Sequence, residues 1–215
     1  MASIYALKGR FQALLRPLVR RLHALGATAN QVTVAAALVS LAVAAAVGLG
    51  ATTRPALFLL LPGWMFLRMA MNAIDGMLAR EFGQQSRLGA YLNELADVIA
   101  DSALYLALFA VPGLMTAPMI AFVVLAALTE YAGVLGPMIG APRRYDGPMG
   151  KSDRAFAVGL LGVLLAAGWI GAATVNAALV LLSALCAWTV VRRVRAGLRH
   201  HAAQDAVAER QGERP

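Results

Sequence analysis

Asp75, Glu94, Asp97 and Asp101 crowd one stretch of an otherwise apolar chain, NAIDGMLAREFGQQSRLGAYLNELADVIAD, residues 72–101. An α-helix turns about 100° per residue, so Arg68, Asn72 and Asp75 share one face of the segment before the glycines. After them Asn93, Asp97 and Asp101 form a row at four-residue spacing, and Glu94 points close to the Asp101 direction. A charge at bilayer depth costs at least a few kcal/mol, so such residues line a cavity or pair. Hard oxygen ligands converging from two helices suit Mg²⁺, Mn²⁺ or Ca²⁺ rather than zinc. The connecting piece is expected to hold Gly76, Gly83 and Gly89, and glycine lets backbone approach a ligand or a second helix. Such a pocket would hold a metal–diphosphate, and group transfer at phosphorus needs mainly positioning and charge neutralisation. The plainer alternative has the carboxylates pair with Arg68, Arg80 and Arg87 and knit the helices together. No Ser–His or Cys–His set supplies a nucleophile.

The elements that position these residues are membrane helices. Of the 215 residues, 60% are hydrophobic and only 14% charged, with a mean hydropathy of +0.68. Ordinary soluble domains carry about 25% charged residues. The composition therefore gives an all-α integral membrane protein, because lipid leaves an open strand edge unsatisfied. Six apolar segments, near 32–51, 55–75, 89–111, 115–137, 154–172 and 174–191, predict six transmembrane helices. All but two of the 19 Lys and Arg, namely Arg54 and Arg68, fall before the first span, between the second and third, between the fourth and fifth, or after the sixth. That asymmetry puts both termini in the cytoplasm. The net charge of +8 is a one-sided basic surface suited to anionic lipid, with no aromatic-interleaved element for nucleic acid.

Ahead of the first span, Ile4, Leu7, Phe11, Leu14, Leu15, Leu18 and Leu22 recur at helical spacing between basic residues. This predicts an amphipathic helix on the cytoplasmic leaflet, kinked or divided at Pro17. The expected organisation is a juxtamembrane helix over 1–26, a six-helix membrane domain over 27–199 and a polar, frayed tail over 200–215. No short apolar segment with a cleavage site opens the sequence, so no removable signal peptide is expected. The single cysteine, Cys186, excludes an intramolecular disulfide, and the three histidines do not assemble a metal site.

The acidic stretch resembles the signature of the CDP-alcohol phosphotransferases, D-x2-D-G-x2-A-R-x8-G-x3-D-x3-D. Here it reads Asn72, Asp75-Gly76, Ala79-Arg80, Gly89, Asn93 and Asp97, with asparagine at the first and third aspartate positions. Thr28, Asn30 and Thr33 resemble the family's T-x-N-x-x-T at the start of the first span. The likeness extends over residues 4–195. It implies a metal-dependent membrane phosphatidyltransferase of phospholipid biosynthesis in the inner membrane, and a homodimer. Such an enzyme moves a phosphatidyl group from a CDP-linked donor such as CDP-diacylglycerol to an alcohol, with release of CMP. Asp75 is implied as a metal ligand and Asp97 as ligand and general base. Gly76, Ala79, Arg80 and Gly89 are implied to shape the cytidine-diphosphate pocket, with Asn30 and Thr33 touching the nucleotide.

Asparagine keeps a carbonyl ligand but loses the charge, so Asn72 and Asn93 weaken a second cation site. One Mg²⁺ or Mn²⁺ is expected rather than two, with Asp101 placed to hold a displaced ion and Glu94 as a second substitute. Arg143, Arg144, Lys151 and Arg154 crowd the fourth cytoplasmic connection, as binders of an acceptor's phosphate or as plain positive-inside charge. Glu130 is expected to line the pocket or to pair with Arg68. The acceptor would be an alcohol such as glycerol phosphate, inositol phosphate, serine or another polyol. Two rival readings are a family member that lost catalysis and binds lipid or nucleotide, and an ion-coupled transporter using Asp97 and Asp101. The nearly uncharged far-side loops speak against the transporter.

Overall fold

A computed structural model describes residues 4–211, with side chains described for 9–200. Among these residues there are α-helices and short 3₁₀ turns and no strand. They are α1 (Ile4–Ala24), α2 (Ala29–Gly50), α3 (Leu60–Glu81), α4 (Arg87–Leu106), α5 (Thr116–Val134), α6 (Lys151–Ala166) and α7 (Ala172–Gln211). The chain forms two compact units, Met1–Ala110 and Val111–Pro215.

In the first unit α2 packs against both α3 and α4, and α1 lies along α3. Val19 of α1 is fully buried with Ala29, Ile74, Met77 and Leu78, and Leu15 and Leu22 pack at the edge of this cluster. Arg16 grips Glu81 through both carboxylate oxygens, at 2.9 and 3.1 Å. The opposite side of α1 exposes Leu14 and Leu18 beside Arg10, Arg20 and Arg21. Pro17 does not divide the helix, which runs through it. Local chemistry starts the next two long helices. Thr28 and Gln31 form a reciprocal capping box on α2, and Ser86 Oγ accepts from Gly89 N at the start of α4. Inside the bilayer-facing part, Trp64 donates to Ser40 Oγ at 2.8 Å and joins α3 to α2.

In the second unit α5 packs along α7. Asp153 Oδ2 accepts from Gly150 N at 2.9 Å and so opens α6. Gly147, at φ +107°, lies where a Cβ would sit 2.6 Å from Thr189 Cγ2.

The boundaries differ from the sequence expectations in four places. The second apolar segment begins as a 3₁₀ turn, Pro55–Leu59, and its helix continues past Asp75 to Glu81. Gly76 is therefore helical and Gly89 lies in the first turn of α4, leaving only Gly83, at φ +67°, in the connecting link. α6 has 16 residues, about 24 Å at 1.5 Å per residue, which is shorter than the hydrocarbon core. α7 does not stop near Val191 but continues as helix to Gln211, through most of the expected frayed tail; residues 212–215 lie outside the described part. Among the described residues, four helical segments are long and apolar enough to cross a membrane: Ala29–Gly50, Pro55–Glu81, Thr116–Val134 and Ala172–His200. The chain is a multi-pass membrane protein. The expected third and fifth spans do not pass on these terms, α4 because of its charges and α6 because of its length.

Candidate active site

Helices α2, α3 and α4 and the link between the last two line an open cavity of about 720 Å³ in the first unit. Most of the sequence-predicted residues meet on it: Asn30, Thr33, Asn72, Asp75, Gly76, Ala79, Arg80, Gly89 and Asn93, with Glu94 beside them. The prolongation of α3 to Glu81 makes this possible, because Asn72, Asp75, Ala79 and Arg80 then belong to one continuous helical face.

Each glycine has a steric reason. A Cβ on Gly76 would sit 2.8 Å from Arg80 Nη2 and 3.1 Å from Nη1, so the bare backbone lets the arginine fold back over α3. A Cβ on Gly89 would sit 2.7 Å from Asn30 Oδ1 and 3.0 Å from Ser86 Oγ, so this glycine admits the α2 side chain. Asp75 is buried, 3% exposed, and its Oδ2 accepts from Thr33 Oγ1 at 2.8 Å. The first turns of α2 and α4 both border the cavity, as do Arg80 and Arg87. Two helix N-termini and two guanidinium groups make its rim attractive to a phosphorylated ligand.

Asp97 and Asp101 are not among the residues that line the cavity. Asp97 Oδ1 receives Arg68 Nη2 at 3.1 Å and Asn72 Nδ2 at 3.4 Å, which ties it to the cavity wall through Asn72. Asp101 is paired with Arg68 and receives Tyr105 Oη at 3.3 Å. The structure thus does not bring Asp101 to the cavity. Among the described residues no three His, Cys, Asp or Glu side chains converge as a metal site. The donor set around Asn72, Asp75, Asn93 and Asp97 is all oxygen and carries two carboxylates. That fits one hard divalent ion completed by a ligand's phosphate oxygens.

Sequence reasoning missed Gln84, Gln85 and Ser86, which also line the cavity, and weighed Arg87 there only as a partner for the carboxylates. Gln84 Oε1 accepts from Ala29 N at 2.7 Å, and its Nε2 lies 3.3 Å from His23 Nδ1 and 3.4 Å from the Ala27 carbonyl. A glutamine in a turn carries no periodic signal that would have marked it.

In the second unit the expected phosphate binders form an ionic cluster. Glu130 takes Arg154 at 2.8 Å, Arg143 at 3.5 Å and Arg193 at 3.7 Å, so it does not pair with Arg68. Arg154 is 1% exposed and also donates to Thr129 Oγ1 at 2.6 Å and to the Met149 carbonyl at 2.9 Å. Arg193, which the sequence reading counted only as topological charge, donates to the carbonyls of Thr129 and Asp146. Arg144 holds Asp146 through both oxygens, at 2.9 and 3.1 Å. Burial alone would raise the Asp146 carboxyl, but the Arg144 hydrogen bonds and charge outweigh it and hold the group below the usual carboxylate range. Lys151 opens α6.

The family model for CDP-alcohol phosphatidyltransferase matches residues 27–191. The chain belongs to the CDP-alcohol phosphatidyltransferase family, and it is a membrane enzyme of phosphatidyl transfer in phospholipid biosynthesis. It is 44% identical over 196 residues to the inner membrane protein YnbA of Escherichia coli, covering 91% of this chain and 96% of that one. It is 30% identical over 109 residues to the archaetidylinositol phosphate synthase of Aeropyrum pernix, covering 46% and 56%. Its fold is that of the Mycobacterium tuberculosis phosphatidylinositol phosphate synthase. The form in complex with manganese and citrate superposes with a TM-score of 0.70 at 22% identity, covering 85% of this chain and 88% of that one. The form with CDP-DAG bound gives 0.69 at 22%, covering 84% and 92%.

Proposed function

We propose that the α2–α3–α4 cavity seats the diphosphate of CDP-diacylglycerol, and that an alcohol acceptor displaces CMP there. The observation that carries this reading is the convergence of Asn72, Asp75, Gly76, Ala79, Arg80, Gly89 and Asn93 on one cavity bordered by two helix N-termini. Asp75 and Asp97, with Asn72 and Asn93 as neutral ligands, hold one Mg²⁺ or Mn²⁺. The ion supplies charge neutralisation at the diphosphate. Arg80 and the amides at the start of α4 bind the diphosphate oxygens, Gly76 and Gly89 keep the floor open, and Asn30 and Thr33 meet the cytidine. Asp97 accepts the proton of the acceptor hydroxyl as its oxygen attacks the phosphatidyl phosphorus, and the bond to CMP breaks.

Arg143, Arg144, Lys151 and Arg154 are assigned to a phosphorylated ligand of the second unit, where Arg154, buried on Glu130, would hold the cluster rather than touch the phosphate. One relative is named for an inositol phosphate lipid, which makes a phosphorylated polyol the acceptor class to try first. The enzyme sits in the inner membrane as a homodimer with both termini cytoplasmic. Its six spans cover 27–199, α1 lies on the leaflet, and a polar tail follows from 200. Exposed Leu14 and Leu18 beside Arg10, Arg20 and Arg21 support the leaflet contact.

The test is CMP release by the purified chain in detergent, with CDP-diacylglycerol and a panel of free and phosphorylated alcohols. Acceptor-dependent CMP that EDTA and Asp75→Asn both abolish is the expected result. Protein that binds CDP-diacylglycerol yet releases no CMP with any acceptor refutes the reading.

A further inference from the structure

Arg68 belongs to no part of the signature, yet it is 5% exposed and shares Asp97 with Asn72 of the cavity wall. It lies one helical turn before Asn72, about 6 Å along α3. Its Nη2 is 3.1 Å from Asp97 Oδ1 and 3.2 Å from the Asp97 carbonyl, and its Nη1 donates to Asp101 Oδ1. A lone arginine at this depth is costly, and two carboxylates oppose it. Asn72 Nδ2 reaches the same Asp97 Oδ1 at 3.4 Å. Both donors thus converge on one oxygen, on the side of Asp97 that faces Asn72. An oxygen that already accepts two N–H donors has little lone-pair capacity left for a metal ion, and Oδ1 of Asp97 takes both Arg68 and Asn72.

We propose that Arg68 is the resident cation of this site: it occupies the place a second metal ion would take beside Asp97, and it fixes the Asp97 carboxylate for a one-ion reaction. This rests on the phosphatidyltransferase reading above. Arg68 is a positioning residue, acting through Asp97. The guanidinium supplies a permanent single charge in a rigid fork, where the neutral Asn72 offers an amide in place of a charged ligand. Asp101 then serves to neutralise the arginine, which accounts for its burial away from the cavity.

The experiment counts Mn²⁺ bound to the purified full chain in detergent by electron paramagnetic resonance, and measures CMP release on the same samples. The wild type is expected to bind one ion per chain. Arg68→Gln removes the cation beside Asp97 and Asp101 while Asn72 stays on Oδ1, so the count is expected to rise to two while kcat falls at least tenfold. A purely structural arginine would move both readouts downward together. Arg68→Lys keeps the charge and is expected to bind one ion and regain part of kcat. Should Arg68→Gln fail to fold, Asn72→Asp with Asn93→Asp decides: with Arg68 in place this pair is still expected to bind one ion. Two ions in that pair, two ions in the wild type, or an Arg68→Gln protein with one ion and unchanged kcat would overturn the proposal. A wild type that binds no Mn²⁺ and releases no CMP overturns the transferase reading itself, and is recognised without any variant.

Discussion

Replacing Gly76 by alanine separates the site from the fold. Position 76 is helical, in the interior of α3, where alanine is favoured over glycine by about 1 kcal/mol. The added Cβ meets no backbone; its near neighbours are Arg80 Nη2 at 2.8 Å and Nη1 at 3.1 Å. These atoms end a flexible side chain, so the helix stays intact while the guanidinium must leave its place over the cavity floor. A hydrogen bond to a charged group contributes about 1.5–3 kcal/mol, so losing the alignment of one such donor with the diphosphate lowers kcat/KM by about 10- to 150-fold. The assay pairs CMP release with thermal unfolding in detergent. The expected Gly76→Ala protein unfolds no earlier than wild type and turns over at least tenfold more slowly. Full kcat/KM in a folded Gly76→Ala protein would refute the role given to Arg80, and a large drop in unfolding temperature would refute the steric account of the glycine.

Other expectations follow from the same geometry. Thr33→Val removes the hydroxyl that donates to buried Asp75 and should cost about 1–3 kcal/mol of stability, read as a lower unfolding midpoint. Arg154→Met leaves Glu130 with Arg143 and Arg193 at 3.5 and 3.7 Å but takes the donor from Thr129 Oγ1 and the Met149 carbonyl, so a loss of about 1–3 kcal/mol is expected, read as a lower unfolding midpoint. Gly147→Ala faces both a left-handed φ of +107° and the Thr189 backbone at 2.9 Å, so a loss of at least about 1–3 kcal/mol is expected. Asp146 is held below the usual carboxylate range, so its contribution is present above the unfolded value of 3.8 and fades as pH falls through its lower folded value. Arg144→Ala should therefore leave the slope of stability against pH unchanged between pH 6 and 8 and flatten it only below about pH 4.

The signature was legible because helical periodicity places Asn72 with Asp75 and Asn93 with Asp97 on single faces, and the structure seats all but Asp97 on the cavity wall. The end of α3 was not. Hydropathy falls at Asp75, but the helix does not, because Leu78, Ala79, Arg80 and Glu81 are good helix formers and Met77 and Leu78 are buried against Val19. Hydropathy tracks the lipid boundary; hydrogen bonding and packing track the helix. Partner choice was equally hidden. The face of Arg68 follows from its position, but its pairing with Asp101, 33 residues on, depends on how α3 and α4 pack. Glu130 was expected to line the pocket or to pair with Arg68, whereas Arg154 and Arg193 supply it within the second unit. Arg193 was read only as topological charge because it stands among the arginines after the last apolar segment.

Gln84 holds three points of the α1–α2 junction at once: its amide oxygen takes the first α2 amide, and its amide nitrogen faces His23 and the Ala27 carbonyl. The link between α3 and α4 is thereby latched to the link between α1 and α2. The two reversals of direction at this end of the first unit behave as one hinge-less corner, so a probe attached to either reports the same displacement. Cutting the latch, as Gln84→Ala would, turns one mechanical body into two, and the mouth of the cavity then inherits whatever independent motion each turn acquires.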